Sequence, residues 1–268
     1  MPWNNAWARA WVVTVCLLAL LVGACGSQSA ETTILDQARE AVSSGSYLRA
    51  EELYELYIQT FPRGKQRWEA WNKLLDVTLG VRGNQEKAAS ILEAMYLEFG
   101  VDGRRAWGIL SRLADVYRAQ RKPDKAIETL QKALGIPSLE AGVEPRIYRR
   151  LARINLSRRE YDQTREMLEA CVAKATDVAI KGECLYDLGQ TLGFMNQHDY
   201  ARKVLQRVMN LDGVEMERRS QAALLLADMY EQENDLSKAR DLLISILDTY
   251  PNPKVVETRL KHLEAKMP

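Results

Sequence analysis

The stretch LLLADMYEQENDLSKARDLLISILDTYP, from Leu224 to Pro251, decides the fold. Leu226, Ala227 and Tyr230 lie at i, i+1 and i+4, on one stripe of a helix. Glu233-Asn234-Asp235 then breaks the pattern. A second stripe follows at helical spacing, Ala239, Leu243 and Ile246, and Pro251 ends it because proline cannot continue a helix. The stretch predicts two helices joined by a short break, each with an apolar face it cannot bury alone.

Outward from there, the same pattern fills the chain. Ala50, Ala88, Ala126, Thr164, Ala201 and Ala239 are separated by 38, 38, 38, 37 and 38 residues. A bulky residue lies four positions after each: Tyr54, Leu92, Leu130, Leu168, Leu205 and Leu243. Small residues also mark most of the first helices, at Ala38, Ala114, Ala152, Gly189 and Ala227. They are needed where helix axes approach to about 8–10 Å. The second unit fits worst, with Asn72 and Asp76 at stripe positions. No window alternates as a strand does, so the expectation is an all-α solenoid of stacked helix pairs.

These residues resemble the tetratricopeptide family, whose signature runs W-x2-L-G-x2-Y … A-x3-F … P. Leu188-Gly189 and Tyr230…Ala239…Leu243…Pro251 are the nearest matches. The resemblance implies a right-handed superhelical solenoid of about six repeats, at 33–64, 65–102, 103–140, 141–177, 178–214 and 215–251. Residues 252–268, with Val256, Leu260, Leu263 and Met267 on one stripe, are expected to form a capping helix. The period exceeds the family's usual length by about four residues.

The front of the chain is of another kind. Ala10 to Ala24 is a mostly apolar run of fifteen, the length of a secretion-signal core and short of the roughly 20 residues a membrane helix needs. Leu21-Val22-Gly23-Ala24-Cys25 resembles a bacterial lipoprotein cleavage box, which implies removal of residues 1–24 and a lipid on Cys25. Gly26, rather than Asp, after that cysteine points to the outer membrane. The tether Gly26–Thr32 reaches at most about 25 Å. Unit one, from Gly45-Ser46-Tyr47 to Phe61-Pro62, is similar to the G-D-Y-x-x-A … Y-P stretch of BamD-type outer-membrane lipoproteins. Adaptors of cell-wall enzymes (NlpI type) and secretin pilotins are alternatives of the same class.

Processing would remove one charge, Arg9, from 37 basic and 36 acidic residues, leaving a neutral chain without a field to recruit nucleic acid. The two histidines, His198 and His262, are far apart in sequence, and no phosphate-cradling loop, metal-binding spacing or nucleophile motif occurs. The sequence reads as a non-enzyme without cofactor or metal. Cys171 and Cys184 fall in adjoining helices, and two readings stay open: a disulfide, or two buried thiols.

In tetratricopeptide arrays the first helices line a concave groove that usually takes peptides. Opposite the packing stripe of unit four stand Arg146, Arg149 and Arg153, at i, i+3 and i+7. Lys73, Asp115 and Arg118 extend this face on one side, and Tyr186, Gln190 and Phe194 on the other. Gln221, Asp228 and Glu231 follow in unit six. The expectation is a partner-binding groove that grips a carboxylate-bearing segment of another envelope protein through charge-assisted bonds.

Overall fold

The computed structural model describes residues 31–137 and 139–267, so the expected signal segment 1–24 and the lipid-bearing Cys25 lie outside the described residues. Among the described residues every element is helical. Helix α1 covers 31–43. It is followed by α2 (Tyr47–Thr60), α3 (Arg67–Leu75), α4 (Gln85–Phe99), α5 (Gly103–Ala119), α6 (Pro123–Leu134) and α7 (Val143–Ser157). Then come α8 (Tyr161–Lys174), α9 (Val178–Phe194), α10 (His198–Asn210), α11 (Met216–Gln232), α12 (Leu236–Ser245) and α13 (Pro253–Glu264). None is long and apolar enough to cross a membrane. Two compact units result: one up to Gly100 together with Ala119–Arg121, the other from Val101 to Arg118 and from Lys122 onward.

The repeat is written into the backbone. At each break between paired helices one residue adopts the left-handed conformation: Gly45 (φ 75°), Gly83 (64°), Arg121 (58°), Arg159 (61°), Asn196 (57°) and Asn234 (63°). In five of these turns the next N–H donates to the carbonyl five residues earlier. The bonds are Ser46 to Ala41, Lys122 to Tyr117, Glu160 to Asn155, Gln197 to Leu192 and Asp235 to Tyr230, at 2.8–3.0 Å. This is the left-handed helix cap, which satisfies carbonyls the helix leaves open.

The exception explains the poorly fitting second unit. Asp76 occupies the place held by Ala38 one repeat earlier and Ala114 one repeat later. A carboxylate cannot enter a close helix crossing without losing its water. The backbone widens there into a π-helical segment, Asp76–Val81, which leaves Asp76 exposed and buries Val77 and Thr78. The capping bond lengthens accordingly: Asn84 reaches six residues back, to Thr78.

Elsewhere the small positions do what their size demands. Ala38, Ala114, Ala152 and Ala227 are buried. A β-carbon on Gly189 would stand 2.6 Å from Leu205 Cδ2 of α10, so only hydrogen fits between α9 and α10 without a shift. Cys171 of α8 and Cys184 of α9 are joined by a disulfide with Cα atoms 5.9 Å apart, both fully buried. It ties the second helix of one pair to the first helix of the next. Helix α13 buries Val256 and Leu263 in a cluster with Ala223, Ala227, Ala239, Leu243 and Ile246, so the last pair does not end on bare apolar surface.

Candidate functional site

Helices α5, α7, α9 and α11, the first helices of their pairs, carry a continuous charged and aromatic face within the second unit. Ion pairs one repeat apart knit it together. Arg150 of α7 reaches Ser111 and Asp115 of α5. Arg149 turns the other way, to Glu183 and Asp187 of α9, with Nε 2.6 Å from the Asp187 carboxylate. The Arg218 guanidinium of α11 lies 4.7 Å from the Tyr186 ring centroid. Arg259 of α13 bridges Asp228 and Glu231 of α11, and Lys266 also holds Glu231, at 2.9 Å.

The three arginines of α7 therefore differ in what they can do. Arg149 has a side chain only 12% exposed, with two carboxylates on it. Arg153 is 55% exposed, and its Nε stands 3.8 Å from Asp187. Arg146 is exposed, and among the described residues it has no ion-pair partner. Two cations thus face solvent on either side of one that is committed to the fold. Beyond them Phe194 is 53% exposed, its ring 6.0 Å from that of Tyr161. Gln190 and Tyr186 are half-buried on the same helix. Asp115 and Arg118 pair with one another at 3.5 Å on α5. Lys73 is exposed on α3, in the other unit.

At the far end of this face the two acids of α11 diverge. Burial pushes the Asp228 carboxyl up, against the pull of Arg259. The hydrogen bond from Lys266 holds Glu231 down, against a smaller opposing effect of burial. With Gln232, Arg259, His262 and Lys266 they line a cleft of about 480 Å³ whose charges are balanced internally.

The first unit holds a polar centre of another sort. Glu51 is 1% exposed, yet it accepts hydrogen bonds from Thr78 Oγ1 at 2.7 Å, Lys87 Nζ at 2.7 Å and Arg82 Nη1. Burial alone would raise its pKa; the bonds from Lys87, Thr78 and Arg82 outweigh it and hold the carboxyl below its ordinary range. Thr78 lies in the π-helical segment and Arg82 follows it directly, so that segment is what brings both to Glu51.

Family models described as tetratricopeptide repeat match residues 109–143 and 221–253. These two stretches are tetratricopeptide repeats, and the chain has the all-α fold of such arrays. Solved structures of the same fold include YrrB, described as a TPR protein with an unusual peptide-binding site. It is 14% identical, with a TM-score of 0.53 over 76% of this chain and 97% of its own. PilF of Pseudomonas aeruginosa is 14% identical, with a TM-score of 0.52 over 90% and 100%. BtubC of P. vanneervenii is 19% identical, with a TM-score of 0.53 over 88% and 89%. At such identities the likeness is one of fold. No curated protein matches the sequence significantly.

The tetratricopeptide fold supports a protein–protein interaction scaffold. The sequence puts these residues on the first helices but does not show who holds them. Arg150, Glu183 and Asp187 went unremarked, although Arg149 and Asp187 are 38 residues apart, one repeat period. Opposite charges one period apart on first helices were the available signal.

Proposed function

We propose that this chain is a lipid-anchored adaptor of the bacterial envelope that binds peptide segments of other proteins along the first-helix face of its tetratricopeptide repeats. The observation that carries the reading is the difference within α7. Arg149 is neutralised by Glu183 and Asp187, while Arg146 and Arg153 keep exposed guanidinium groups on the helix that packs against α9, which carries Tyr186 and Phe194. Guanidinium groups in that setting suit a carboxylate-bearing chain, with the aromatic rings taking an apolar side chain next to it. The anchor rests on the lipoprotein-like box ending at Cys25, and the outer-membrane location on Gly26 after it. Support of envelope-complex assembly follows as the role of such an adaptor.

A photo-crosslinker at position 153 of the intact chain in cells tests the reading. An adduct with an envelope assembly subunit or its client, lost in Arg146→Glu, supports it. An adduct with a cell-wall enzyme would reassign the adaptor to wall synthesis. No adduct at 153, with one formed from the second helices, would overturn the proposed face. Arg149→Glu is unsuitable for this purpose, since it would place a third carboxylate against Glu183 and Asp187. Cys25→Ala should move the protein out of the membrane fraction if the lipid is its anchor.

A further inference from the structure

A second surface, on the other side of α9, has charges the fold leaves unused. Lys181 and Leu185 lie roughly opposite Tyr186 and Gln190 around that helix, by a turn of about 100° per residue. With α10 they border a cleft of about 540 Å³. Lys203 and Arg207 of α10 stand on its rim, both exposed. Among the described residues none of these three cations makes an ion pair, and no acidic side chain lines the cleft. This contrasts with the first-helix face, where Arg149, Arg150 and Arg259 are each matched by a carboxylate of a neighbouring helix.

The remaining lining has its own chemistry. Buried Leu185 and half-buried Leu211 give an apolar floor. Gln206 and Asn210 add two side-chain amides, each offering a donor and an acceptor. A phosphate or sulfate would use only donors, whereas a peptide bond uses both. Three unmatched cations require negative charge, and the floor requires one apolar side chain. We propose that this cleft is a second peptide-docking site, independent of the first-helix face, which takes a short acidic segment of a partner protein carrying a single apolar anchor residue. Such a site would let one chain hold two partner segments at once, with affinity that falls as salt screens the three cations.

The test is an array of octapeptides in which Asp and Glu surround one Leu, Ile or Phe, probed with the full chain in detergent. Hits are then measured by fluorescence anisotropy. The expected result is binding that weakens about tenfold or more in Lys203→Glu/Arg207→Glu and by less in Lys203→Gln/Arg207→Gln. Lys254→Glu/Lys261→Glu, which changes net charge equally on exposed positions of α13, should leave it unaltered. Unchanged circular dichroism and thermal melting would show that the variants fold. Acidic peptides that bind equally to wild type and to the Lys203/Arg207 variants, or no acidic peptide retained at all, would overturn the proposal. So would phosphatidylglycerol vesicles bound through Lys203 and Arg207 in place of peptides, since the cleft would then be a lipid-headgroup site. None of these results bears on the crosslink at position 153, so the two surfaces stand or fall separately.

Discussion

The pairs α3–α4 and α9–α10 occupy equivalent places in the repeat, yet they solve the same crossing by opposite chemistry. In α9 the crossing position is Gly189, and the Leu205 side chain of α10 fills the space a β-carbon would need. Directly after α3 the equivalent position is Asp76, which the π-helical segment turns out to the surface. That turn delivers Thr78 and Arg82 to the buried Glu51 carboxylate, which Lys87 also holds. One crossing rests on close packing, the other on a buried charge with its full set of donors. Packing tolerates pH and fails on added volume. A charge network tolerates small volume changes and fails when one partner is removed or titrated.

The largest expected effect breaks the polar side. Glu51→Ala should cost about 3 kcal/mol, at the low end for a broken buried pair because Lys87 and Arg82 are partly exposed and can hydrate. Denaturant unfolding with hydrogen exchange over residues 31–100 would read it; an effect below about 1 kcal/mol would show the network to be a passenger. The same contact gives the comparison a pH signature. The folded Glu51 pKa lies below the ordinary 4.5, so its contribution is fully present above that value. It is lost as pH falls through the depressed folded value. Acid should therefore loosen α1–α4 in the wild type, and Glu51→Gln should remove this component. Acid sensitivity that is equal in Glu51→Gln would reject the assignment.

Next in size is Gly189→Ala, expected to cost about 2 kcal/mol because Leu205 must leave its place. Its cost should not vary between acid and neutral pH, which sharpens the contrast with Glu51. Smallest are the effects at the turns. Arg159→Gly should stabilise by about 1 kcal/mol, because an L side chain is strained at φ 61°. Gly45→Ala, where nothing crowds the added carbon, should lose a similar amount through φ alone. A thermal melt of each variant decides the sign.

The helix pairs were legible because Ala50 and its five successors must be small wherever two axes cross, and apolar spacing follows from that. The breaks were legible too, but not their conformation, since Arg121 and Arg159 carry no mark of a left-handed residue. Asp76 could be seen not to fit; nothing in its neighbours said that the backbone would widen rather than the helix end. Glu51 reads as a solvated residue after Ala50, and its burial depends on three donors 27 to 36 positions away. On the first-helix face, periodicity put Arg146, Arg149 and Arg153 on one stripe of a helix, which is α7. It could not tell a committed guanidinium from an available one, because that depends on which neighbouring helix stands within reach.

The left-handed turn residues also make the chain divisible. Asn196 and Asn234 have φ values of 57° and 63°, and each is followed by an N–H that caps the helix before it. Splicing Asn196 directly to Asp235 would excise 38 residues and rebuild the same turn from the two halves, with α12 taking the place of α10. Lys203 and Arg207 would leave with the excised module, while the Cys171–Cys184 link and the partners of Arg149 would stay. A chain shortened in this way is a modular part list: the α10 side of the second cleft could be removed without its α9 side, and new modules inserted, at joints whose backbone geometry is already shared.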